Sequence, residues 1–238
     1  MQYVHLRKEV IMSFKYMTVA ARAVRPAYVR RVLIAVMAGV SLLAVACGGS
    51  SSASAPTATP FSWQGALVTP PFVKPNAVLT DTSNKPFDLR KDTQGYVTLL
   101  YIGYLHCPDI CPQHMSDLRQ AFIKLPVDVT KHVRVVFVTA DPDRDRPDLI
   151  RKWLDSFNTG FIGLYGTQAQ VDALQVSLGI EPAQKEDLGG GNYAVSHAAY
   201  VIAFGTDNVA HLVYPSGITA DTWIHDLPQL VNAGWKGS

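Results

Sequence analysis

Two runs of β-branched and aromatic residues, YVTLLYIGY (96–104) and VRVVFVTA (133–140), set the strongest limit on the fold. Because neither run alternates with polar residues, each predicts a strand that is buried on both faces of a sheet. Apolar residues at helical spacing follow the first run in CPQHMSDLRQAFIKL (111–125) and the second in RPDLIRKWLDSF (146–157). This order of strand, helix and strand indicates a parallel β-α-β unit.

The same alternation continues to the end of the chain. FIGLYG (161–166) predicts a strand, TQAQVDALQVSLGI (167–180) a helix that Thr167 caps, and HAAYVIAFGTDNVAHLVY (197–214) a hairpin that turns at GTDN. A final helix is expected in TADTWIHDLPQLVNAG (219–234), and a small hairpin around DTSNKP is expected before the first buried strand. The predicted fold class is α/β: a central β-sheet flanked by helices, with an N-terminal β-hairpin extension.

Residues 1–46 have the pattern of a bacterial lipoprotein signal segment. Arg30 and Arg31 precede an apolar run of 15 residues, which would span about 22 Å as a helix. That length is short for a membrane span and typical of the apolar core of a signal peptide. The run ends in LAVAC (43–47), which resembles the lipobox, where the cysteine receives a lipid and becomes the mature N-terminus. We expect lipidation at Cys47; an ordinary cleaved signal and an uncleaved membrane anchor are the alternatives.

Residues 47–60 continue with Gly, Ser, Ala, Thr and Pro and no charge, which predicts a flexible tether. The remaining residues, 61–238, are enough for one domain with its own core. A lipid at Cys47 would hold this domain at the cell membrane, facing the outside of the cytoplasm. That compartment permits disulfides, and only Cys107 and Cys111 remain to form one.

The charge of the domain gives no reason to expect nucleic acid as a partner. The whole chain has a formal net charge of +2, but residues 1–31 contain seven of its 21 Lys and Arg residues and one of its acids. The rest of the chain therefore has 14 basic and 18 acidic residues. Domains that bind DNA or RNA present a basic face, so no nucleic-acid binding is expected here.

The cysteine pair, Cys107 and Cys111, lies where the first buried strand passes into a helix, and ligands of α/β proteins bind at such strand ends. The free N–H groups and the dipole at a helix N-terminus favour thiolate over thiol. This pattern is compatible with a soft metal ion, with thiol–disulfide exchange, or with a structural disulfide.

The spacing Cys-x-x-x-Cys favours the metal among these three. Thioredoxin-type oxidoreductases use Cys-x-x-Cys, and the additional residue leaves room for an ion between the sulfurs. Thiolates select soft ions, above all Cu(I), whereas a structural zinc site needs four ligands and no further thiol is available. A third copper ligand is expected from a histidine. His114, in the first helical turn, and His197, before the HAAYVIAF strand, are candidates by position.

Three segments together resemble the motifs of the Sco/SenC family. YIGYLHCPDICP (101–112) is similar to its Y-F-G-Y/F-T-x-C-P-D-V/I-C-P motif, and TADPDRDRP (139–147) to its D-P-x-R-D-T-P motif. VSHAAYVIAF (195–204) is similar to the third motif, in which a histidine near D-H-S precedes a strand. The three occur in the family's order and extend over roughly residues 60–235, so their joint occurrence is far more specific than the cysteine spacing alone.

The resemblance implies a thioredoxin-like fold and a site for one copper ion. Matched by position, the family's copper ligands would be Cys107, Cys111 and His197. Asp109 matches the family's acidic residue between the cysteines; it would place a charge near the site or face a partner, or it would cap the loop after Pro108. The family's usual recipient is the CuA site of cytochrome c oxidase subunit II, which also lies outside the cytoplasmic membrane.

The sequence departs from the family pattern at positions close to these ligands. Ser196 and Ala198 replace the aspartate and serine that flank the histidine, so the carboxylate that would orient His197 is missing there. In the second motif we expect Arg144 and Asp145 to pair and to hold the loop beside the copper segment.

The leading hypothesis is a metallochaperone, without catalytic turnover, that carries one copper per chain from an upstream donor to cytochrome c oxidase subunit II or another copper-accepting protein. The alternative is a thiol–disulfide reductase that keeps the recipient's cysteines reduced, with Cys107 and Cys111 as the redox-active pair. A structural disulfide in an interaction domain is the third possibility, although an apolar core of this size needs no such cross-link.

Overall fold

The two predicted buried strands lie side by side at the centre of the sheet. The structure, a computed structural model, describes residues 61–235. Its strands are β1 (Ala66–Val73), β2 (Val78–Asp81), β3 (Pro86–Asp88), β4 (Val97–Gly103), β5 (Val133–Thr139), β6 (Ile162–Tyr165), β7 (Gln184–Gly189), β8 (Asn192–Ser196), β9 (Tyr200–Phe204) and β10 (Val209–Pro215). Its helices are α1 (Ile110–Lys124), α2 (Val127–Thr130), α3 (Pro147–Asp155), α4 (Gln168–Ser177) and α5 (Ala220–Ala233).

Eight strands form the main sheet in the order β1-β10-β9-β4-β5-β6-β2-β3. β4 and β5 pair in parallel, with Val97 opposite Val133 and Gly103 opposite Thr139. All seven residues of β4 are buried, as the unbroken apolar run predicts for a strand that is covered on both faces. The predicted β-α-β order is confirmed, and the carboxyl ends of both strands reach the same edge of the sheet.

The segment before β4 extends the sheet at both of its edges. The hairpin predicted around DTSNKP is formed by β2 and β3, and β2 pairs with β6. The strand β1, which the sequence analysis did not predict, pairs with β10 at the opposite edge. Its sequence, ALVTPPFV, contains two prolines, and six of its eight residues are exposed while the other two are half-buried, so it lacks the pattern of an interior strand.

The helices begin and end close to the predicted positions. Thr167 caps α4 with a complete capping box, in which its side chain and that of Gln170 each bond to the other's backbone. The chain leaves this helix at Gly179, whose φ of +67° is left-handed and suits a glycine. Pro228 lies inside α5, within the segment for which the sequence predicts the final helix.

A second, two-stranded sheet was not expected. The segment that ends in LGGGNYAVS (188–196) forms the antiparallel hairpin β7–β8. Gly189, Gly190 and Gly191 all have positive φ and make the turn between its strands. Every residue of β7 is exposed, so the strand has none of the apolar alternation by which strands are recognised.

The signal segment 1–46 and the tether 47–60, with Cys47, lie outside the described residues. Within 61–235, no helix has both the length and the apolar character that a membrane crossing requires.

Candidate metal centre

The two cysteines lie in the turn between β4 and α1. Cys111 is the second residue of α1 and is fully buried, while Cys107 lies in the preceding loop and is half-buried. The backbone N–H of Cys111 donates to Cys107 Sγ at 3.4 Å, so the first turn of the helix places the two thiols next to each other. Both are free thiols in this structure.

Cys111 reaches this position because the last residue of β4 is a glycine. A Cβ on Gly103 would lie 2.8 Å from Cε1 of Tyr101 and 2.9 Å from Cys111 Sγ, closer than real Cβ contacts. The absence of a side chain at Gly103 therefore allows the sulfur to pack against the backbone of the sheet.

His197 completes the group from a distant part of the chain. It directly follows β8, and its Nε2 lies 3.6 Å from Cys111 Sγ. Its Nδ1 lies 3.2 Å from the carbonyl oxygen of Ala198, which leaves Nε2 as the nitrogen that faces the sulfurs. The rings of Tyr101 and Tyr104 contact the imidazole edge-on, at centroid distances of 5.9 and 5.6 Å.

The ligand atoms of Cys107, Cys111 and His197 lie within 4.8 Å of one another. Among residues 61–235, this is the one group of three or more such side chains close enough to share an ion. The structure thus brings together the three residues that the sequence analysis named as copper ligands. The sequence lacks a carboxylate beside His197, and the backbone carbonyl of Ala198 orients the imidazole in its place.

The electrostatics of Cys111 differ from the expectation for a helix N-terminus. Burial raises the pKa of this thiol to about 12, although Tyr101, whose hydroxyl donates to Sγ at 3.2 Å, acts in the opposite direction. Desolvation of Cys111 therefore outweighs the helix dipole, which by itself favours the thiolate. Burial also lowers the pKa of His197, so its imidazole is neutral at pH 7 and has a lone pair for a metal.

Asp109 has a structural role at the start of α1. Its carboxylate accepts the backbone N–H of Ile110 at 2.6 Å, and it is the N-cap residue of the helix. The side chain is exposed between the two cysteines. This position agrees with the loop-cap interpretation and leaves one side of the carboxylate facing solvent.

The structure does not add the other candidate histidine to the group. His114 is buried in α1 against the ring of Tyr101, at a centroid distance of 4.9 Å. His106 turns away from the sulfurs, and its Nδ1 lies 3.7 Å from the carboxylate of Asp145.

The loop after β5 fixes the cysteine segment through Asp145. This buried carboxylate accepts the backbone N–H of Leu105 at 3.0 Å and the hydroxyl of Thr139 at 2.7 Å. The expected pair of Arg144 and Asp145 is not formed, because Arg144 pairs with Asp141. The two acids of the motif thus have different partners: Asp145 accepts a hydrogen bond from the cysteine loop, and Asp141 forms the ion pair with Arg144.

Arg144 connects this loop to the hairpin that precedes His197. Its Nη1 donates to the carbonyl of Tyr193 at 3.0 Å, and its guanidinium lies 3.6 Å from the centre of the Tyr193 ring. The hydroxyl of Tyr193 donates in turn to Asp141 at 2.9 Å. Sequence reasoning missed Tyr193, since nothing in the spacing of a glycine-rich segment connects it with a loop 50 residues earlier.

Comparison with known proteins agrees with this geometry. The SCO1/SenC family model matches residues 68–232 of the chain. The chain belongs to the SCO1/SenC family. A Stutzerimonas stutzeri protein named for copper binding is 32% identical over 160 residues, which cover 66% of this chain and 76% of that protein.

Solved structures of Sco proteins have the same fold. The solution structure of apo Sco1 from Thermus thermophilus is 29% identical and superposes with a TM-score of 0.64, over 71% of this chain and 98% of that one. Bradyrhizobium japonicum ScoI with copper bound is 26% identical, with a TM-score of 0.58 over 70% of this chain and 98% of that one. The thioredoxin-like fold that the sequence motifs imply is confirmed.

Mitochondrial relatives are longer than the region they share with this chain. The human mitochondrial SCO1 homolog is 28% identical over 138 residues, which span 44% of its length. The shared region is the domain described here.

Proposed function

We propose that this SCO1/SenC protein is a metallochaperone that binds one copper ion per chain through Cys107, Cys111 and His197. The observation that carries the proposal is the convergence of two sulfurs and one imidazole nitrogen within 4.8 Å at the end of β4. Thiolate and imidazole are the ligands that copper prefers, whereas magnesium and calcium favour oxygen. The copper bound by the related Bradyrhizobium protein supports the same cargo for this chain.

The proposed cycle is one of ligand exchange. Copper binding replaces the proton of the buried Cys111 thiol, because the pKa of about 12 keeps this group protonated in the absence of metal. Three protein ligands leave a coordination position open to an incoming thiolate. Cys107 is the more accessible sulfur, so it is the ligand that a partner reaches first. We propose the CuA site of cytochrome c oxidase subunit II as the recipient, in line with the family.

The experiment is a competitive titration with Cu(I) and a chelator. The full chain with Cys47→Ser would be used, so that Cys107 and Cys111 are its only thiols. We expect one copper per chain, with an affinity that falls by about two orders of magnitude or more in Cys107→Ser, Cys111→Ser and His197→Ala. His132→Ala removes a histidine from an exposed loop and is the matched control, with an unchanged affinity. Unchanged affinity in His197→Ala would refute the ligand assignment.

Thiol–disulfide reduction is the second candidate function, and the unequal exposure of the two thiols favours it. The Cys107 thiolate would attack a disulfide of the recipient, forming a mixed disulfide and releasing one recipient thiolate, which takes a proton from solvent. Cys111 would lose its proton and attack Cys107 Sγ, closing the Cys107–Cys111 disulfide and releasing the second thiol. His197→Ala would retain most of this exchange while losing copper, which separates the two functions.

We also propose that Cys47 carries the lipid that holds the domain at the cell membrane. The lipobox-like LAVAC and the tether after it support this location. Expressed in a bacterium with labelled palmitate, the chain should incorporate the label, and Cys47→Ser should not. Cys107→Ser keeps the lipobox and should be labelled like the unaltered chain. Labelling of Cys47→Ser, or none of the unaltered chain, would contradict the proposal.

A further inference from the structure

A pocket lies between the first turns of α1 and the loop that joins β10 to α5. It has a volume of about 170 Å³ and opens to solvent. Asp109, Asp117 and His114 contribute its ionisable groups, and Ser216 lies at its exposed rim. Asp109 lies between the two cysteines in sequence, so one wall of the pocket belongs to the cysteine segment.

The pocket has acceptor groups but no cation. Within residues 61–235 neither Asp109 nor Asp117 forms an ion pair, and no Lys or Arg lines the pocket. Asp117 is only 4% exposed, and its carboxylate accepts a hydrogen bond from the neutral amide of Gln113, at 2.8 Å. A carboxylate in such a place gains most from a charged hydrogen-bond donor.

His114 gives an independent indication of a missing partner. It is 2% exposed, and its Nε2 has no hydrogen-bond partner within the described residues. Burial lowers the pKa of this imidazole, so the ring is neutral and one of its nitrogens is an acceptor. Buried nitrogens without a partner are rare because the lost hydrogen bond destabilises the protein.

We propose that this pocket binds a cationic side chain, arginine or lysine, of the protein that exchanges copper or electrons with Cys107. The inference rests on the proposed function for the nature of the partner. Asp109 at the rim and Asp117 inside would bind the charge, and the apolar side chains of Ile110 and Ile218, which also line the pocket, would pack along the methylene stem. The contact would place the partner's thiol or metal ligand beside Cys107.

Mixed disulfides with short peptides test this without copper. The full chain with Cys47→Ser and Cys111→Ser has Cys107 as its only thiol. It would be equilibrated at low salt with the disulfide-linked dimers of peptides Cys-(Gly)n-Arg, n from zero to three, and with the same dimers containing citrulline, the neutral isostere of arginine. The Cys107 thiolate displaces one peptide thiolate from the dimer, so each mixed disulfide formed releases one free peptide. Intact mass measures the fraction of mixed disulfide. For at least one number of glycines, we expect the arginine peptide to form at least about five times more mixed disulfide than the citrulline peptide. A charged contact that is partly shielded from water gives a preference of this size.

The variants locate the effect. Asp117→Asn should abolish the preference for arginine, whereas Glu186→Gln, an equal change of charge on the exposed strand β7, should leave it intact. Ser216→Trp at the exposed rim would block the pocket without a change of charge, and it should also abolish the preference. This second variant tests the pocket even if Asp117→Asn does not fold.

Equal binding of arginine and citrulline peptides at every spacing would overturn the proposal. A preference that survives both Asp117→Asn and Ser216→Trp but disappears in Asp109→Asn would also overturn it, because the exposed carboxylate alone would then attract the peptide. Copper affinity plays no part in this measurement, so its outcome and that of the Cu(I) titration are independent.

Discussion

At the scale of single residues, the proposed copper site depends on how closely Cys111 packs. Its sulfur lies against the backbone of Gly103 and accepts the hydroxyl of Tyr101. Burial raises the pKa of Tyr101, so this hydroxyl keeps its proton and remains a donor. Copper would therefore bind to a sulfur whose position is set before the metal arrives, which reduces the reorganisation that binding requires.

Gly103→Ala should displace this sulfur and weaken copper binding. The new Cβ would overlap Cys111 Sγ and the ring of Tyr101, both of them buried, so neither can move freely. We expect the free energy of unfolding to fall by about 1–3 kcal/mol, as for other overpacked cores, and the Cu(I) affinity to fall about ten-fold or more. Denaturant unfolding and chelator competition measure the two effects. Gly160→Ala, in a turn where the added Cβ meets only the side chain of Asn158, is the control; equal effects of both substitutions would refute the argument.

At the scale of elements, the hairpin β7–β8 carries His197 to the site while burying little of itself. Every residue of β7 is exposed, and Val195 is the one fully buried side chain of β8, so apolar packing holds the hairpin through β8 alone. The contacts of Arg144 and Asp141 with Tyr193 connect it to the loop that also binds the cysteine segment through Asp145. The second sequence motif thus joins the two parts of the chain that supply the ligands.

Arg144→Gln should loosen the hairpin and weaken copper binding about ten-fold, the usual range for a residue that positions a metal ligand. The substitution removes the ion pair with Asp141 and the contact with the ring of Tyr193. Amide hydrogen exchange across Asn192–Ser196 should become faster in the protein without copper. Lys185→Gln, on the same hairpin, removes an exposed ion pair with Asp143 and a longer contact, of 4.9 Å, with the ring of Tyr193, and should change much less. Unchanged exchange in Arg144→Gln would show that the hairpin is held by other contacts.

The sequence predicts the interior elements of this fold and misses the exposed ones, for physical reasons. β4 and β5 are recognisable because burial on both faces demands unbroken apolar runs. β1 and β7 have no such requirement; the first contains two prolines and the second is wholly exposed. His197 could be assigned by the family resemblance alone, because its place beside Cys111 depends on a hairpin and its long-range contacts. The raised pKa of Cys111 could not be predicted, since it arises from the depth of burial.

At the scale of the whole molecule, buried hydrogen bonds connect the segment that follows β1 to the start of β4. Lys74 directly follows β1 and is fully buried, and its Nζ donates to the hydroxyls of Thr93 and Thr98 at 2.9 and 2.8 Å. Burial, followed by repulsion from Arg90, lowers the pKa of Lys74 to about 8. A charged ammonium without an acidic partner in its hydrogen bonds destabilises the folded state at neutral pH.

The free energy of unfolding should therefore rise between pH 8 and pH 10. In this range the unfolded chain, with a lysine pKa of 10.5, binds a proton that the folded protein has lost, so an increase in pH favours folding. Below pH 8 both states are protonated and Lys74 contributes no slope. Lys74→Met should be more stable at pH 7 by about 2 kcal/mol and should lose the rise. Urea unfolding at a series of pH values measures this, with Lys91→Met, at an exposed lysine, as the control. A rise that persists in Lys74→Met would assign it to another group.

The pairing of β1 with β10 has a consequence for the order of events during synthesis. Ala66 lies opposite Val213, so β1 leaves the ribosome long before its partner strand and stays unpaired until almost the whole domain has been made. Until then β1, with its exposed Leu67 and Val73, presents an unpaired edge that chaperones or other chains can bind. Closure of the sheet at this edge is thus a late step that reports a completed domain, and a chain interrupted before β10 retains an open strand at its beginning.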